Sequence, residues 1–246
     1  MIYVSATNRS LTEKYVNWAV TGLPGAVKLN PQDILKKTDC KKAVMFGVLR
    51  GTHLVYNWAK KNNIDFYYID RPYWGETRNH PYYVKIVKNN HLKNWVEKRP
   101  YDRFEKSFPW PIKPWKKDGK NIIICPPSNA MKEFFNAHNW LDDTLKILKK
   151  HTDRPIIVKN KGYNPIIGYD QNGGYIVTGK DNQKPSGPIN WDDAFAIVTY
   201  NSNISLEATT RGIPCFTDPH NACAPISETD FTKIESPKYV DREPLY

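Results

Sequence analysis

The sequence predicts an α/β protein with two domains. Two observations lead to this fold class. Short apolar strands alternate with helical patterns along the chain, and a proline-rich segment interrupts the alternation once, near the middle. With 246 residues, the chain is long enough for one large domain or two smaller ones, each with its own core.

The first half of the chain repeats the order strand, helix, strand. Its predicted strands are runs of apolar, β-branched and aromatic residues, and its predicted helices have apolar residues at helical spacing. Ser10 and Glu13 form a capping-box pattern at the first helix, and Thr52 is a candidate cap of the third. The predicted strands are 2–6, 26–29, 42–48, 64–70 and 81–88, and the predicted helices are 11–23, 30–37 and 52–63.

The segment FPWPIKPWKKDGK, residues 108–120, breaks the pattern. Its prolines cannot continue a helix or a central strand, because proline has no backbone N–H to donate. Proline-rich segments also stay extended. We therefore predict a semi-rigid linker between an N-terminal domain, residues 1–113, and a C-terminal domain, residues 114–246.

The alternation resumes after the linker. Gly212 is the predicted left-handed stop of the last helix, and the glycine-rich residues 161–190 are predicted to form a hairpin and loop. Two successive β/α units imply two Rossmann-like domains that face a cleft. The predicted strands are 121–127, 154–160, 195–201 and 213–218, and the predicted helices are 129–137, 140–151 and 202–212.

The composition excludes several classes of protein. No apolar run approaches the roughly 20 residues of a membrane span, and the N-terminus lacks the pattern of a signal peptide. The four cysteines have no CxxC spacing, so neither a zinc site nor a disulfide framework is indicated. We expect a reducing, cytoplasmic setting, which is the host cytoplasm if the protein is viral.

Positive charge is concentrated in the front half. Residues 71–118 carry 12 Lys/Arg against 5 Asp/Glu, whereas residues 119–246 carry 14 against 15. This asymmetry indicates that the front half meets a polyanion.

A glutamate stands inside the otherwise uncharged stretch TYNSNISLEATT, which reads as the end of a strand, a turn and a helix. Ligands of open α/β sheets bind where strands end and helices begin. Ser202 is a candidate cap of the helix, Ser205 lies in its first turn, and Glu207 could reach the ribose of a nucleotide whose phosphates rest on the helix start. The alternative is an exposed glutamate paired with Arg211 at i+4.

This block, TYNSNISLEATTRGIPCFTDP (199–219), resembles the donor-site motif of GT-B glycosyltransferases, in particular the capsule-polysaccharide-synthesis group and related small bacteriophage enzymes. The shared features are a strand, an Asn-Ser turn, a helix containing Leu-Glu-Ala, and Gly-x-Pro entering the next strand. The resemblance implies that the Asn201–Ser202 turn holds a diphosphate and that Glu207 holds the ribose of a nucleotide-sugar donor. It also implies architectural roles for Gly212 and Pro214.

Two further stretches resemble the same enzymes. YYIDRPYWG (67–75) is similar to a Tyr-Ile-Asp-x-Gly-Tyr-Phe stretch of the phage proteins, with Pro72 where they have glycine. RPIIVKNK resembles a strand that ends in a basic residue facing the donor phosphates, so Lys159 and Lys161 are candidate donor contacts.

Sugar transfer with inversion needs a general base for the acceptor hydroxyl and positive groups for the leaving diphosphate. Asp70 ends a buried strand and is the candidate base; alternatively it caps the next turn or pairs with Arg71. His80 and His53 are the next candidates, and Ser128 is a candidate donor contact. We expect no metal and no cofactor, because GT-B enzymes usually need no metal and the sequence has no carboxylate cluster. The co-substrate is expected to be a nucleotide sugar, UDP-glucose.

Aromatic and basic residues interleave in residues 71–118, which is typical of nucleic-acid surfaces. The alternative is that most of these aromatic side chains belong to the core and that the lysines form a solvated face. A base modified within a duplex must be flipped out, and aromatic side chains can hold it or fill its place. The leading hypothesis is a monomeric phage-type enzyme that moves glucose from UDP-glucose onto a hydroxymethylated pyrimidine in double-stranded DNA. The candidate DNA contacts are Arg71, Trp74, Arg78, Lys85, Lys88 and Lys93.

Two alternatives stay open. A transferase acting on a capsule or surface glycan would use the basic charge to meet an acidic polysaccharide or a membrane surface. A non-catalytic nucleotide- or nucleic-acid-binding protein would keep the fold without the chemistry. Salt-dependent DNA binding separates the first hypothesis from the glycan transferase, and sugar transfer separates both enzymes from the binding protein.

Overall fold

The computed structural model describes residues 1–7, 10–73, 84–92, 106, 111–160, 165–169, 175–180 and 186–242. It is a mixed α/β protein whose main sheets are largely parallel, so the predicted fold class is confirmed at this level. The chain divides into two compact units: Met1–Lys93 with Ile166–Gly179, and Asn94–Pro165 with Lys180–Tyr246. The boundary at residue 113 and the cleft of a GT-B arrangement stay predictions.

The described part of the first unit has a five-stranded sheet in the order β2-β1-β3-β4-β5. The first four strands in sequence are parallel, and β5 runs antiparallel to β4. The elements are β1 (Ile2–Ser5), α1 (Ser10–Gly22), β2 (Ala26–Leu29), α2 (Pro31–Leu35), β3 (Lys42–Phe46), α3 (Thr52–Lys61), β4 (Asp65–Asp70) and β5 (Lys85–Lys88).

The apolar faces of these elements account for the packing of the first unit. Successive side chains of a strand point to opposite faces of the sheet. Val4 of β1 and Val44 of β3 point to the same face, where they pack against Val16 of α1 in a buried cluster.

The helix α3 begins differently from the prediction. Its N-cap is Gly51, at φ 89°, and Thr52 is its first residue, whose hydroxyl donates to the Leu49 carbonyl at 2.7 Å.

The described part of the second unit has a four-stranded parallel sheet in the order β11-β10-β6-β7. A separate hairpin of β8 (Pro165–Tyr169) and β9 (Tyr175–Lys180) lies within the glycine-rich stretch, as predicted, and belongs to the first unit except for its end residues Pro165 and Lys180. Two short 3₁₀ helices, Ala224–Ile226 and Phe231–Lys233, were not predicted. The other elements of this unit are β6 (Asn121–Cys125), α4 (Asn129–Phe135), α5 (Trp140–His151), β7 (Ile156–Val158), β10 (Ala194–Thr199), α6 (Ile204–Thr210) and β11 (Cys215–Thr217).

The central strands of the second sheet are buried on both faces. All six residues of β10 are buried, and its sequence AFAIVT is correspondingly apolar throughout. Ile122, Val198 and Phe216 pack in one cluster with Leu148 of α5. The other cluster contains Ile123 and Ile197, together with Ala208 of α6. The sheet therefore lies between a layer that contains α5 and a layer that contains α6.

The described part of the predicted linker, residues 111–120, is attached to the second unit. The Lys113 N–H donates to the Thr210 carbonyl at 2.8 Å, and the Lys116 N–H donates to the Gly212 carbonyl at 2.7 Å. The Trp115 indole donates to the Val240 carbonyl at 2.8 Å, and the Arg242 guanidinium lies over its ring, 4.0 Å from the centroid. These contacts hold residues 113–116 against the turn that follows α6.

Candidate functional site

The carboxyl edge of the second sheet is the candidate site, because the chain changes direction there. The chain adds β7 on one side of β6 and then crosses to add β10 on the other. Open α/β sheets bind ligands at such a switch point. Cys125 and Thr199 end the two strands side by side, and the Thr199 hydroxyl donates to the Cys125 carbonyl at 2.7 Å.

Most residues predicted to bind the donor follow the strands at this edge. Ser128 follows β6, Lys159 follows β7, and the turn containing Asn201 and Ser202 follows β10. Glu207 belongs to the next helix, α6. Lys161 lies outside the described residues. One edge of one sheet thus brings together residues that are up to 79 positions apart in the sequence, from Ser128 to Glu207.

The turn after β10 is held by a buried asparagine. Asn221 is 1% exposed, and its amide donates to the carbonyls of Tyr200 and Ser202 at 3.3 and 3.4 Å. Its carbonyl oxygen accepts the Cys223 N–H at 2.8 Å. The Ser205 hydroxyl lies 2.8 Å from this oxygen and 2.9 Å from the Ser202 carbonyl. The conformation of the turn therefore depends on one side chain from the loop after β11.

These contacts change the interpretation of two serines. Ser205 is fully buried, and its hydroxyl contacts Asn221 and the Ser202 carbonyl, so in the structure it helps to hold the turn. The cap of α6 is Asn203, and Ser202 stands one residue before it, with its hydroxyl 3.4 Å from the Ile204 N–H. Glu207 consequently lies in the first turn of the helix.

Asn221→Ala is expected to destabilise the folded protein by about 1–3 kcal/mol, because it leaves buried carbonyl and N–H groups without partners. Urea unfolding would measure this loss. Asn190, whose side chain bonds Asp193 at the exposed surface, offers the control: Asn190→Ala should cost clearly less. Equal losses in the two variants would show that Asn221 has no special role in holding the turn.

Glu207 makes the ion pair foreseen as the alternative to ligand binding. Arg211 donates to its Oε1 from Nη2 at 2.9 Å and from Nε at 3.2 Å, and the two side chains are 41% and 44% exposed. The Arg211 guanidinium also lies 4.7 Å from the centre of the Trp191 ring. Among the described residues, no group bonds Oε2 of Glu207. One carboxylate oxygen is thus used by the protein and the other is available.

Lys159 and Ser128 differ in how far their side chains are engaged. The Lys159 ammonium donates to the carbonyls of Gly187 and Pro188, each at 3.0 Å, which leaves one of its three protons for another acceptor. Ser128 is the N-cap of α4, with an extended backbone, but in the described part of the chain its hydroxyl makes no capping bond. Its side chain is available where β6 ends.

Sequence reasoning missed an aspartate and a histidine at the same edge. Asp218 follows β11, and its Oδ1 lies 2.6 Å from Nδ1 of His220, which fixes the orientation of the imidazole. The His220 ring is nearly parallel to the Tyr200 ring, at 6.0 Å and 7°, and lies 4.9 Å from Phe135. Burial, followed by the charge of Asp218, raises the pKa of Tyr200 to about 12. The Asp-x-His pattern at the end of the predicted strand 213–218 was the signal that could have identified this pair.

The candidate base Asp70 ends β4 in the first unit, as predicted. Its Oδ1 accepts the Arg71 N–H at 2.8 Å, which is the turn-capping bond foreseen as an alternative. Its Oδ2 accepts the Tyr68 hydroxyl at 2.5 Å, and the Lys85 ammonium lies 3.9 Å away. Of the two histidines considered next, His53 is buried in α3 at 6% exposure, and His80 lies outside the described residues.

The predicted DNA contacts are placed unevenly. Lys85 has only 18% of its side chain exposed, and its ammonium lies 3.9 Å from Oδ2 of Asp70, so its role as a DNA contact stays a prediction. Lys88 is 54% exposed and pairs with Asp65 at 2.9 Å. The backbone N–H of Arg71 donates to Oδ1 of Asp70 at 2.8 Å. The remaining candidates lie outside the described residues: Trp74, Arg78 and Lys93.

No helix within the described ranges is long and apolar enough to span a membrane. In the same ranges, no group of three or more His, Cys, Asp or Glu residues is arranged to hold a metal ion. No protein-family model matches the sequence, and no curated protein is similar to it. The family resemblance therefore rests on the motif in residues 199–219 and the two shorter stretches.

Proposed function

We propose that the protein is a nucleotide-sugar-dependent glycosyltransferase that modifies DNA. It would move a hexose, glucose from UDP-glucose, onto the hydroxymethyl group of a modified pyrimidine. One observation carries the proposal: the motif that resembles a donor site lies at the carboxyl edge of a parallel sheet, beside the switch point between β6 and β10.

The donor would be bound by the groups that the protein leaves available at this edge. The N–H groups of the turn at Asn201 and Ser202, together with Lys159, suit the diphosphate. The helix α6 has only seven residues, so we assign the phosphates to the turn and the lysine rather than to a helix dipole. Oε2 of Glu207 would accept a hydrogen bond from a ribose hydroxyl while Oε1 keeps its bonds to Arg211.

In the proposed reaction, the acceptor hydroxyl attacks the anomeric carbon and its proton passes to the carboxylate of Asp70. The bond between the anomeric carbon and the diphosphate oxygen breaks, and the nucleoside diphosphate leaves with the electron pair. Lys159 and the turn N–H groups would stabilise the negative charge that develops on the leaving group.

Glu207→Ala is expected to weaken UDP binding by about 1.5–3 kcal/mol, because it removes a charged hydrogen-bond acceptor from the ribose. Isothermal titration calorimetry with UDP would measure the change. Arg211→Ala is the matched control, since it breaks the same ion pair but keeps the carboxylate. If both variants bind UDP as the parent does, Glu207 is only an ion-paired surface residue.

DNA is the proposed acceptor because the excess positive charge lies in the front half of the chain. A protein that contacts several phosphates releases counterions, so log affinity should fall with log salt at about −0.9 per phosphate contacted. The triple substitution of Arg78, Lys88 and Lys93 by alanine should flatten this slope and leave UDP binding unchanged. We omit Lys85 because its ammonium faces Asp70 inside the first unit.

The control for this measurement changes the charge by the same amount elsewhere. Lys146, Lys149 and Lys150 are exposed on α5 of the second unit. Their substitution by alanine should leave the salt slope nearly unchanged if the front half carries the DNA surface. Equal slopes for the parent and both triple variants would remove the case for DNA.

A glycosyltransferase that acts on a surface glycan is the second candidate. The pairing of Lys88 with Asp65 at 2.9 Å reduces the charge available for DNA, and a glycan that carries fewer negative charges than DNA would need less of it. A third candidate is a protein of the same fold that binds nucleotides but catalyses no reaction. It would bind UDP but transfer no sugar to any acceptor.

A further inference from the structure

A largely buried lysine lies next to the candidate base. Lys85 begins β5 and is paired with Asp70 in the antiparallel register with β4. Its ammonium lies 3.3 Å from the Tyr73 hydroxyl and 3.9 Å from Oδ2 of Asp70. It also lies 5.2 Å and 4.8 Å from the ring centres of Tyr68 and Tyr73. Lysines are rarely buried unless they are paired, so this position needs a physical explanation.

A hydrogen-bonded cross-strand ion pair does not explain it. At 3.9 Å the Lys85 and Asp70 groups are too far apart for a hydrogen bond. Lys88 and Asp65, at the other end of β5 and β4, form a closer ion pair. Their charged groups are 2.9 Å apart, and both side chains are more exposed than those of Lys85 and Asp70. Burial lowers the pKa of Lys85, and the charge of Asp70 only opposes this effect. The Lys85 ammonium is therefore largely removed from water and lies near the Asp70 carboxylate without a hydrogen bond to it.

The carboxylate of Asp70 is held by other donors. Tyr68 donates to Oδ2 at 2.5 Å, and the Arg71 N–H donates to Oδ1 at 2.8 Å. Tyr68 is 4% exposed, and burial first, then the charge of Asp70 and this hydrogen bond, raise its pKa well above the ordinary value. Its hydroxyl is therefore a constant donor. Both carboxylate oxygens are fixed, and the side chain is still 33% exposed for a substrate.

We propose that Tyr68 and Lys85 are positioning residues that orient the Asp70 carboxylate toward the acceptor hydroxyl. This inference rests on the proposed function, in which Asp70 accepts the proton of that hydroxyl while the bond from the anomeric carbon to the diphosphate breaks. Orientation matters because a small displacement of a catalytic group, about 1 Å, can cost about 10²-fold in rate. The Tyr68 hydroxyl sets the direction of Oδ2, and the Lys85 cation acts on the same oxygen from the neighbouring strand.

The test uses two substitutions that remove one contact each. Tyr68→Phe deletes only the hydroxyl, and Lys85→Met removes the charge but keeps a long apolar side chain. With UDP-glucose and hydroxymethylated duplex DNA, each should lower kcat by about 10-fold or more and leave KM for UDP-glucose unchanged. Lys28→Met is the control, because Lys28 pairs with Glu13 at the exposed surface of the same unit and should keep the parental rate. Circular dichroism would confirm that each variant is folded.

A double substitution separates positioning from a structural role. If Tyr68 acts through Asp70, then Tyr68→Phe should cause no further loss of kcat in an Asp70→Asn background. An equal fold-loss in both backgrounds would overturn the inference. So would a folded Tyr68→Phe variant that transfers sugar at the parental rate. A parent protein that transfers no sugar would instead refute the proposed function, so the two failures are distinguishable.

Discussion

Asp70→Asn is expected to lower sugar transfer by about 10²-fold or more and to leave UDP affinity nearly unchanged. The amide has the same shape as the carboxylate and can still accept the Arg71 N–H, but it cannot take a proton from the acceptor at neutral pH. Single-turnover transfer to hydroxymethylated DNA, together with calorimetry for UDP, would separate the two effects.

Asp65→Asn provides the control for this substitution. Asp65 begins the same strand, and its exposed carboxylate pairs with Lys88 and bonds Asn89. The same chemical change there should cost little transfer activity. If Asp70→Asn transfers sugar as fast as Asp65→Asn does, Asp70 only caps its turn, and His80 becomes the next candidate for the base.

Gly212→Ala is expected to reduce the free energy of unfolding by at least about 3 kcal/mol, the largest stability effect that we predict. Gly212 has φ +79°, a left-handed conformation that costs other residues about 1–2 kcal/mol. A Cβ atom there would stand 1.9 Å from the Pro114 carbonyl oxygen, so the chain at residues 113–116 would have to move. That movement breaks the bonds from Lys113 and Lys116 to the turn.

Urea unfolding followed by tryptophan fluorescence would measure the loss, because Trp115 and Trp191 lie near the affected turn. Gly22→Ala is the matched control, since no atom lies within 4 Å of a Cβ built on Gly22. It should change stability by less than about 1 kcal/mol. Similar losses in both variants would contradict the close contact between the linker and the turn.

The sequence predicted the elements whose signals are local. The buried strands NIIIC and AFAIVT are nearly all apolar, and they form the centre of the second sheet. Gly212 could be predicted as the end of α6 because a helix stop in the left-handed region favours glycine. The alternation of strands and helices also indicated which residues follow the strands and therefore lie at the carboxyl edge of the second sheet.

Contacts between distant segments could not be predicted in this way. The period of two in KIVK allows either face to be buried, and the pairing with β4 decides it: Lys85 and Val87 turn inward, whereas Ile86 is 58% exposed. Lys85 was therefore assigned to the surface. Asn221 reads as an ordinary loop residue, and only the fold brings its amide to the turn after β10.

The central claim is sugar transfer to DNA, and nucleoside mass spectrometry tests it most directly. The protein would be incubated with a panel of UDP-sugars and duplex DNA containing hydroxymethylated pyrimidines, and the DNA would be digested to nucleosides. We predict a hexosylated nucleoside that requires both the UDP-sugar and the hydroxymethyl group, and that falls by about 10²-fold or more with Asp70→Asn. A folded, UDP-binding protein that yields no hexosylated nucleoside with any donor in the panel would contradict the account.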